Sequence, residues 1–155
     1  DNAEVNYVKR VLQVGLFHHE REQICDLLFD RYVTIDAADF SNELYLGSDD
    51  IIEMASEGME IGSHGYNHNW LNSLSKSEQE MDIDLSLKYF NDMGLCKSPF
   101  LFCYPYGGYD DNTIEVLAKR GCDAAFTCRP GNHDFTEHDI LEIRRHDTND
   151  IHYKV

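Results

Sequence analysis

An α/β fold built on a parallel sheet is what this sequence predicts, and two observations predict it. From Ser48 onward a helix-like segment, a glycine stop and a short apolar run repeat three times, whereas before Ser48 the apolar residues recur only at helical spacing. Helices alternating with short apolar strands imply right-handed crossover units, arranged as an open sheet or a barrel. In both arrangements chemistry gathers at the carboxyl ends of the strands.

The amino-terminal third reads as helix. Val5, Val8, Val11 and Leu12 share one helical face, as do Ile24, Leu27, Leu28 and Tyr32 after the polar opening from His18, and Ala37 to Leu44 makes a further short helix. The first α/β unit starts at Ser48-Asp-Asp, a capping serine with two acids favoured by the helix dipole, and stops at Gly58 before the strand-like Met59-Glu-Ile-Gly. The second opens with the capping box Ser75-Lys-Ser-Glu78, turns an apolar face through Met81, Leu85 and Phe90, stops at Gly94 and enters Phe100-Leu-Phe-Cys-Tyr104. The third runs from Asp110 through Ile114 and Leu117 to Gly121, then into Cys122 to Thr127; Ile140 to Arg144 is a last strand.

At 155 residues, 42% of them hydrophobic, the chain has the length and composition of one domain, residues 1–155, with 1–47 a helical insertion or connecting segment and 48–155 the α/β core. The 29 acidic residues against 13 basic ones leave a formal charge of -16, which repels a phosphate backbone, so nucleic acid is not an expected ligand. The apolar runs fall far short of the roughly 20 residues a membrane helix needs. The five cysteines, Cys25, Cys96, Cys103, Cys122 and Cys128, form an odd number without a C-x-x-C pair; they read as buried free thiols suited to a reducing compartment. With no leader visible at Asp1, the expected location is the cytoplasm.

The groups that could do chemistry follow strands. His64 and His68 stand four apart in Glu60-Ile-Gly-Ser-His-Gly-Tyr-Asn-His68, a spacing that can aim two imidazoles at one divalent cation, although solvated surface histidines share it. A catalytic zinc takes three protein ligands plus water, so a carboxylate is wanted. Asp49, Asp50, Asp110 and Asp111 read as helix-start acids; Asp147 and Asp150, after the last strand, are the better options, and His146 beside them is a candidate proton donor. Tyr104-Pro105-Tyr106-Gly-Gly-Tyr109 is either an ordinary strand-to-helix loop or a turn whose amides donate to an oxyanion. Trp70, the tyrosines and Phe135 are either packing or platforms for a sugar ring.

These residues together resemble the NodB-like polysaccharide deacetylases. Glu-Ile-Gly-Ser-His64-Gly-Tyr-Asn-His68 resembles the second family motif, and Phe102-Cys-Tyr-Pro-Tyr-Gly107 the third, with matching order and spacing over about Ser48 to Asp150. The resemblance implies a partial, distorted (β/α) barrel and metal-assisted hydrolysis of an N-acetyl, or O-acetyl, group of a poly- or oligosaccharide in surface glycan metabolism. It implies that His64 and His68 bind a divalent metal, most simply zinc, with cobalt, nickel or manganese as alternatives. The Tyr106 amide would serve the oxyanion, Arg145 would match an arginine at the last strand, and His146 would stand in for the histidine acid. Tyr104, Pro105 and Trp70 would contact an acetylated carbohydrate substrate.

The departures are as informative. No stretch matches the first family motif, an aspartate pair that supplies the third ligand and the base; Cys103 stands where many members have an arginine; the fourth motif is not recognisable. The expectation is therefore a carboxyl-terminal part of a longer deacetylase, binding metal weakly and turning over little as an isolated piece. Two rival readings remain: a carbohydrate-binding pseudoenzyme module, and an interaction domain whose acidic surface is the functional element.

Overall fold

The computed structural model describes residues 1–95, 99–135 and 139–148. Two compact units divide the chain, Asp1–Gly47 and Ser48–Val155. No helix among the described residues is long and apolar enough to cross a membrane.

The first unit is helical throughout, as its periodicity predicts: α1 (Ala3–Arg10) continues into a π-turn at Val11–Gly15, followed by α2 (His18–Tyr32) and α3 (Ala37–Leu44). Asn2 caps α1 by accepting from the Val5 amide at 2.8 Å, and Asp36 caps α3 through Asp39 at 3.1 Å. The apolar stripes are not interior ones: α1 and α3 bury no residue, and Tyr7, Leu27 and Tyr32 are exposed. Phe29 and Phe40 tie α2 to α3 edge to face, with centroids 5.4 Å apart.

The second unit contains α4 (Ser48–Ser56), α5 (Lys76–Asp92), β1 (Leu101–Cys103), α6 (Asp111–Lys119), β2 (Ala124–Pro130) and β3 (Ile143–Arg145). All three strands are parallel in the order β1-β2-β3, the α/β class expected. The strand expected at Met59–Gly62 is reduced to one parallel bridge, Ser63 to Phe102, on the edge of β1 away from β2. The last expected strand is divided, a 3-10 turn at Ile140–Glu142 followed by β3.

Local chemistry accounts for the helix ends. Ser75 and Glu78 form the capping box of α5, and Asp110 with Thr113 forms that of α6. Ser48 lies inside α4, and its hydroxyl meets Tyr89 Oη at 2.9 Å, so the expected capping serine holds α4 to α5 instead.

A core of fully buried side chains draws Leu71, Ile83 from α5, Phe102 and Tyr104 around β1, Val116 and Leu117 from α6, and Ala125 from β2. Of the apolar face the sequence suggests, Met81 is 64% exposed while Leu85 and Phe90 are half-buried; the buried residues are Gln79, Asp82, Ile83 and Ser86, one helical stripe. Three of those four are polar because each meets a backbone or capping group. Gln79 accepts from Thr113 Oγ1 at 2.7 Å and donates to Leu74 O at 3.2 Å, so the buried amide is satisfied.

No disulfide links the described cysteines, but burial divides them. Cys25 and Cys128 are exposed, contrary to the expectation of buried thiols, while Cys103 and Cys122 are partly buried and burial pushes the Cys122 thiol up to about 11. Cys96 lies outside the described residues. Truncating Phe102, which is wholly buried, leaves a void at the centre of the core; Phe102→Ala is expected to cost about 3–5 kcal/mol in a chemical denaturation measurement.

Candidate active site

The site begins with backbone pairing. Ser63 N–H donates to Leu101 O at 2.8 Å and Cys103 N–H to Ser63 O at 2.8 Å, so His64 leaves the sheet beside the carboxyl end of β1. There His64 Nδ1 lies 2.8 Å from Cys103 O. A carbonyl only accepts, so Nδ1 carries the proton and the neutral ring keeps its lone pair on Nε2, the arrangement of a metal-ligating histidine with a backbone partner.

Beyond His64 the chain turns tightly over the side of α5. Gly65 has φ +76°, and a Cβ there would lie 2.9 Å from Asp82 Oδ2, so only glycine fits against that carboxylate. Asp82 Oδ2 accepts from the Tyr66 amide at 2.9 Å; Oδ1 accepts from the Asn67 amide at 3.0 Å and from Asn67 Nδ2 at 3.1 Å. The turn delivers His68 in a left-handed conformation, φ 56°, unusual for a residue with a side chain. The two imidazoles end 4.8 Å apart, centroid to centroid. Burial first, and then the neighbouring His64, hold the His68 ring below the usual histidine range, which keeps it neutral and ligand-competent at lower pH.

The turn after β1 completes the cluster. Pro105–Gly107 forms one 3-10 turn in which Tyr106 is also left-handed, φ 56° and ψ 9°. Its ring meets His68 at 4.7 Å and stacks on Trp70 at 5.2 Å, so His64, His68, Tyr106 and Trp70 make one continuous aromatic run. The Tyr106 amide has no acceptor among the described residues. Trp70 is packed into this run and against Gly108, where an added Cβ would sit 3.4 Å from its ring.

Tyr104 and Pro105 are buried. The Tyr104 hydroxyl donates to Leu141 O at 2.6 Å and burial drives its pKa far up, so this side chain serves the core. Tyr109 stacks on Tyr104 at 4.3 Å, and its hydroxyl, pushed up to about 12 by burial and then by the bond to Glu142, stays protonated.

Arg145 and His146 line a separate cleft of about 590 Å³ at the ends of β2 and β3, with Thr127, Cys128 and Pro130. Arg145 Nε donates to Thr127 O at 2.9 Å; His146 Nε2 donates to Asn132 Oδ1 at 3.0 Å, leaving Nδ1 as its open nitrogen. The proline-tyrosine turn borders this cleft, since a Cβ on Gly107 would lie 2.9 Å from Cys128 Cβ. Phe135 stands on His133 instead, with centroids at 4.6 Å.

Asp147 is not brought to the histidine pair. No group of three metal-ligating side chains occurs among the described residues, and Asp147 lines the other cleft. The reason is topological: β3 stands three strand spacings, about 14 Å, from the Ser63 segment. Asp150 lies outside the described residues. Asp49 and Asp50 sit in the first turn of α4, and Asp110 caps α6, as helix-start acids do. The donor set here is thus two imidazoles, of which His64 presents Nε2 as its lone-pair nitrogen, and the pair fits a divalent ion that takes a further ligand from elsewhere.

Sequence reasoning passed over Asp82 and the Cys103 carbonyl. A signal for Asp82 existed in the polar stripe Gln79-Asp82-Ser86 at helical spacing, while a backbone carbonyl leaves no mark in sequence.

Parallel strands with a histidine pair and a proline-tyrosine turn at their carboxyl ends define an α/β protein whose polar cluster lies at one sheet end. The family model for polysaccharide deacetylase matches residues 24–125, and the chain belongs to this family. The match starts inside α2, upstream of Ser48. YxkH of Bacillus subtilis (strain 168), whose name places it among the polysaccharide deacetylases, is 31% identical over 87 residues, 56% of this chain and 31% of YxkH. Among solved structures, PplD, a Streptococcus pyogenes deacetylase in complex with acetate, superposes with a TM-score of 0.62 at 18% identity over 90% of this chain and 70% of that one. The deacetylase domain of BpsB from Bordetella bronchiseptica gives 0.59 at 19% identity, over 67% and 49%. The chain therefore spans about a third of the curated relative and half of the BpsB domain.

Two measurements check this geometry. In metal-free protein, NMR titration is expected to place the His68 pKa below 6.5; the stability this group contributes is complete above 6.5 and declines as pH falls from there through the folded-state value. Gly65→Ala is expected to displace the Asp82 contact and lower stability by about 1–3 kcal/mol in thermal unfolding, because the position is left-handed and the space is filled.

Proposed function

We propose that Ser48–Val155 carries the histidine half of a metal-dependent carbohydrate deacetylase site, acting on an N-acetyl or O-acetyl group of a poly- or oligosaccharide. Family membership supports the reaction class. One observation carries the reading: the Nδ1 bond of His64 to the Cys103 carbonyl, which leaves Nε2 as donor beside His68. Acetate, found with PplD, is the product such a reaction releases.

A divalent metal bound there supplies Lewis acidity and activates water. His64 and His68 hold it, with a carboxylate from outside the described residues as third ligand and another as general base. The Tyr106 amide, with no acceptor among the described residues, donates to the oxyanion that develops on the acetyl carbonyl. Tyr106 and Trp70 form the aromatic wall against which a sugar ring packs. His146, with Nε2–H held by Asn132, would act as acid once Nδ1 has taken up a proton, passing that proton to the leaving group and returning to the neutral ring, and Arg145 adds positive charge on that side. Cys103 replaces a side chain common in the family, yet the backbone carbonyl that orients His64 is independent of that exchange.

The test uses the full-length protein. His64→Ala is expected to abolish both stoichiometric zinc uptake and acetate release from an acetylated oligosaccharide. Undiminished acetate release in that variant would overturn the reading, and zinc uptake without any acetate release in the parent would reduce the domain to a binding module.

A further inference from the structure

We propose that Asp82 is the positioning residue of the histidine pair, a buried carboxylate on α5 that fixes the His64–His68 turn in the shape that brings both imidazoles to one point. The proposal rests on the deacetylase reading of these histidines, and it concerns a residue that lies in neither motif.

Asp82 is 3% exposed, and among the described residues its partners are N–H groups of the turn and no cation. A carboxylate withdrawn from water without a counter-charge is kept only where hydrogen bonds replace its hydration, and here all of the observed bonds go to two consecutive residues, Tyr66 and Asn67. Those two residues lie between the histidines. Both carboxylate oxygens are used: Oδ2 for Tyr66, Oδ1 for the amide and side chain of Asn67.

The neighbours of the turn are built around this contact. Gly65 leaves the space that Oδ2 occupies, since any Cβ there would stand 2.9 Å from it. His68 follows directly in its left-handed conformation, a state that persists only where surrounding contacts over-determine it. Four residues further along α5, Ser86 accepts from Ser63 Oγ at 3.0 Å, so the same helix face holds the residue before His64. The two imidazoles are thus referenced to one rigid helix, His64 through Ser63 and His68 through Asn67. Removing such an outer contact from a ligand-bearing turn typically lowers metal affinity about 10–100-fold.

The experiment compares the full-length protein with Asp82→Asn, which keeps the shape but replaces one acceptor oxygen by an NH2 that faces a donor. Two readouts are taken: Co2+ affinity with its visible absorption spectrum, measured well below the unfolding temperature, and, without metal, hydrogen exchange of the Tyr66 and Asn67 amides. The expected result is a loss of about 10–100-fold in Co2+ affinity, an altered spectrum and faster exchange at those two amides. Thr113→Ala, which removes a buried hydrogen bond to Gln79 elsewhere on α5, is expected to lower the unfolding temperature without changing Co2+ affinity. Should Asp82→Asn not fold, Asn67→Ala removes one of the three bonds and is expected to weaken Co2+ several-fold. Affinity within twofold of the parent in Asp82→Asn, or in Asn67→Ala if that is the variant obtained, overturns the proposal, as does unchanged amide exchange. His64→Ala run alongside separates the two claims: retained Co2+ affinity there overturns the deacetylase reading, whereas lost affinity there with unchanged affinity in Asp82→Asn overturns only the role of Asp82.

Discussion

Two backbone hydrogen bonds, Ser63 N–H to Leu101 O and Cys103 N–H to Ser63 O, each 2.8 Å, set the register on which the site depends. They place residue 64 opposite the last residue of β1, so the His64 ring reaches the Cys103 carbonyl and the turn at 105–107 reaches the His68 ring. A slip of one residue would send His64 to the other face, because side chains alternate along an extended segment. The pairing is short, one bridge and two bonds, and burial of Ser63 and Phe102 stabilises it more than length does.

Helix α5 is the second support. An ordinary amphipathic helix would turn mainly leucines toward the sheet; this one turns Gln79, Asp82 and Ser86 inward beside Ile83, with Leu87 partly buried against the core. Each polar atom buried there carries a desolvation cost unless it is bonded, and the bonds go to the cap of α6, to the histidine turn and to Ser63. The helix thereby links local geometry at three places that are distant in sequence. Purely apolar packing at the same positions would hold the helix without orienting the turn.

Strain is concentrated in the same place. Among the described non-glycine residues, His68 and Tyr106 have positive φ, and their rings touch, 4.7 Å apart. Left-handed backbone at a bulky residue costs on the order of 1–3 kcal/mol. Here it is offset by the Asp82 bonds on one turn and by the Tyr104 and Pro105 packing on the other. The result is a histidine pair and an uncommitted amide held at one sheet end.

Much of this was legible in the sequence, because it is written in local chemistry. Helix periodicity, the caps at Ser75 and Asp110, the parallel α/β class and the pairing of His64 with the proline-tyrosine turn follow from spacing and from strand-end placement alone. The tertiary structure alone decided that Met59–Gly62 is reduced to a bridge, that α5 buries Gln79, Asp82 and Ser86 beside Ile83, that Tyr104 belongs to the core, and that Asp147 stands across the sheet from the histidines. The physical reason is common to all four. Periodicity and capping are short-range properties of the chain, whereas strand pairing, satisfaction of a buried carboxylate and the separation of strand ends depend on which distant segments meet.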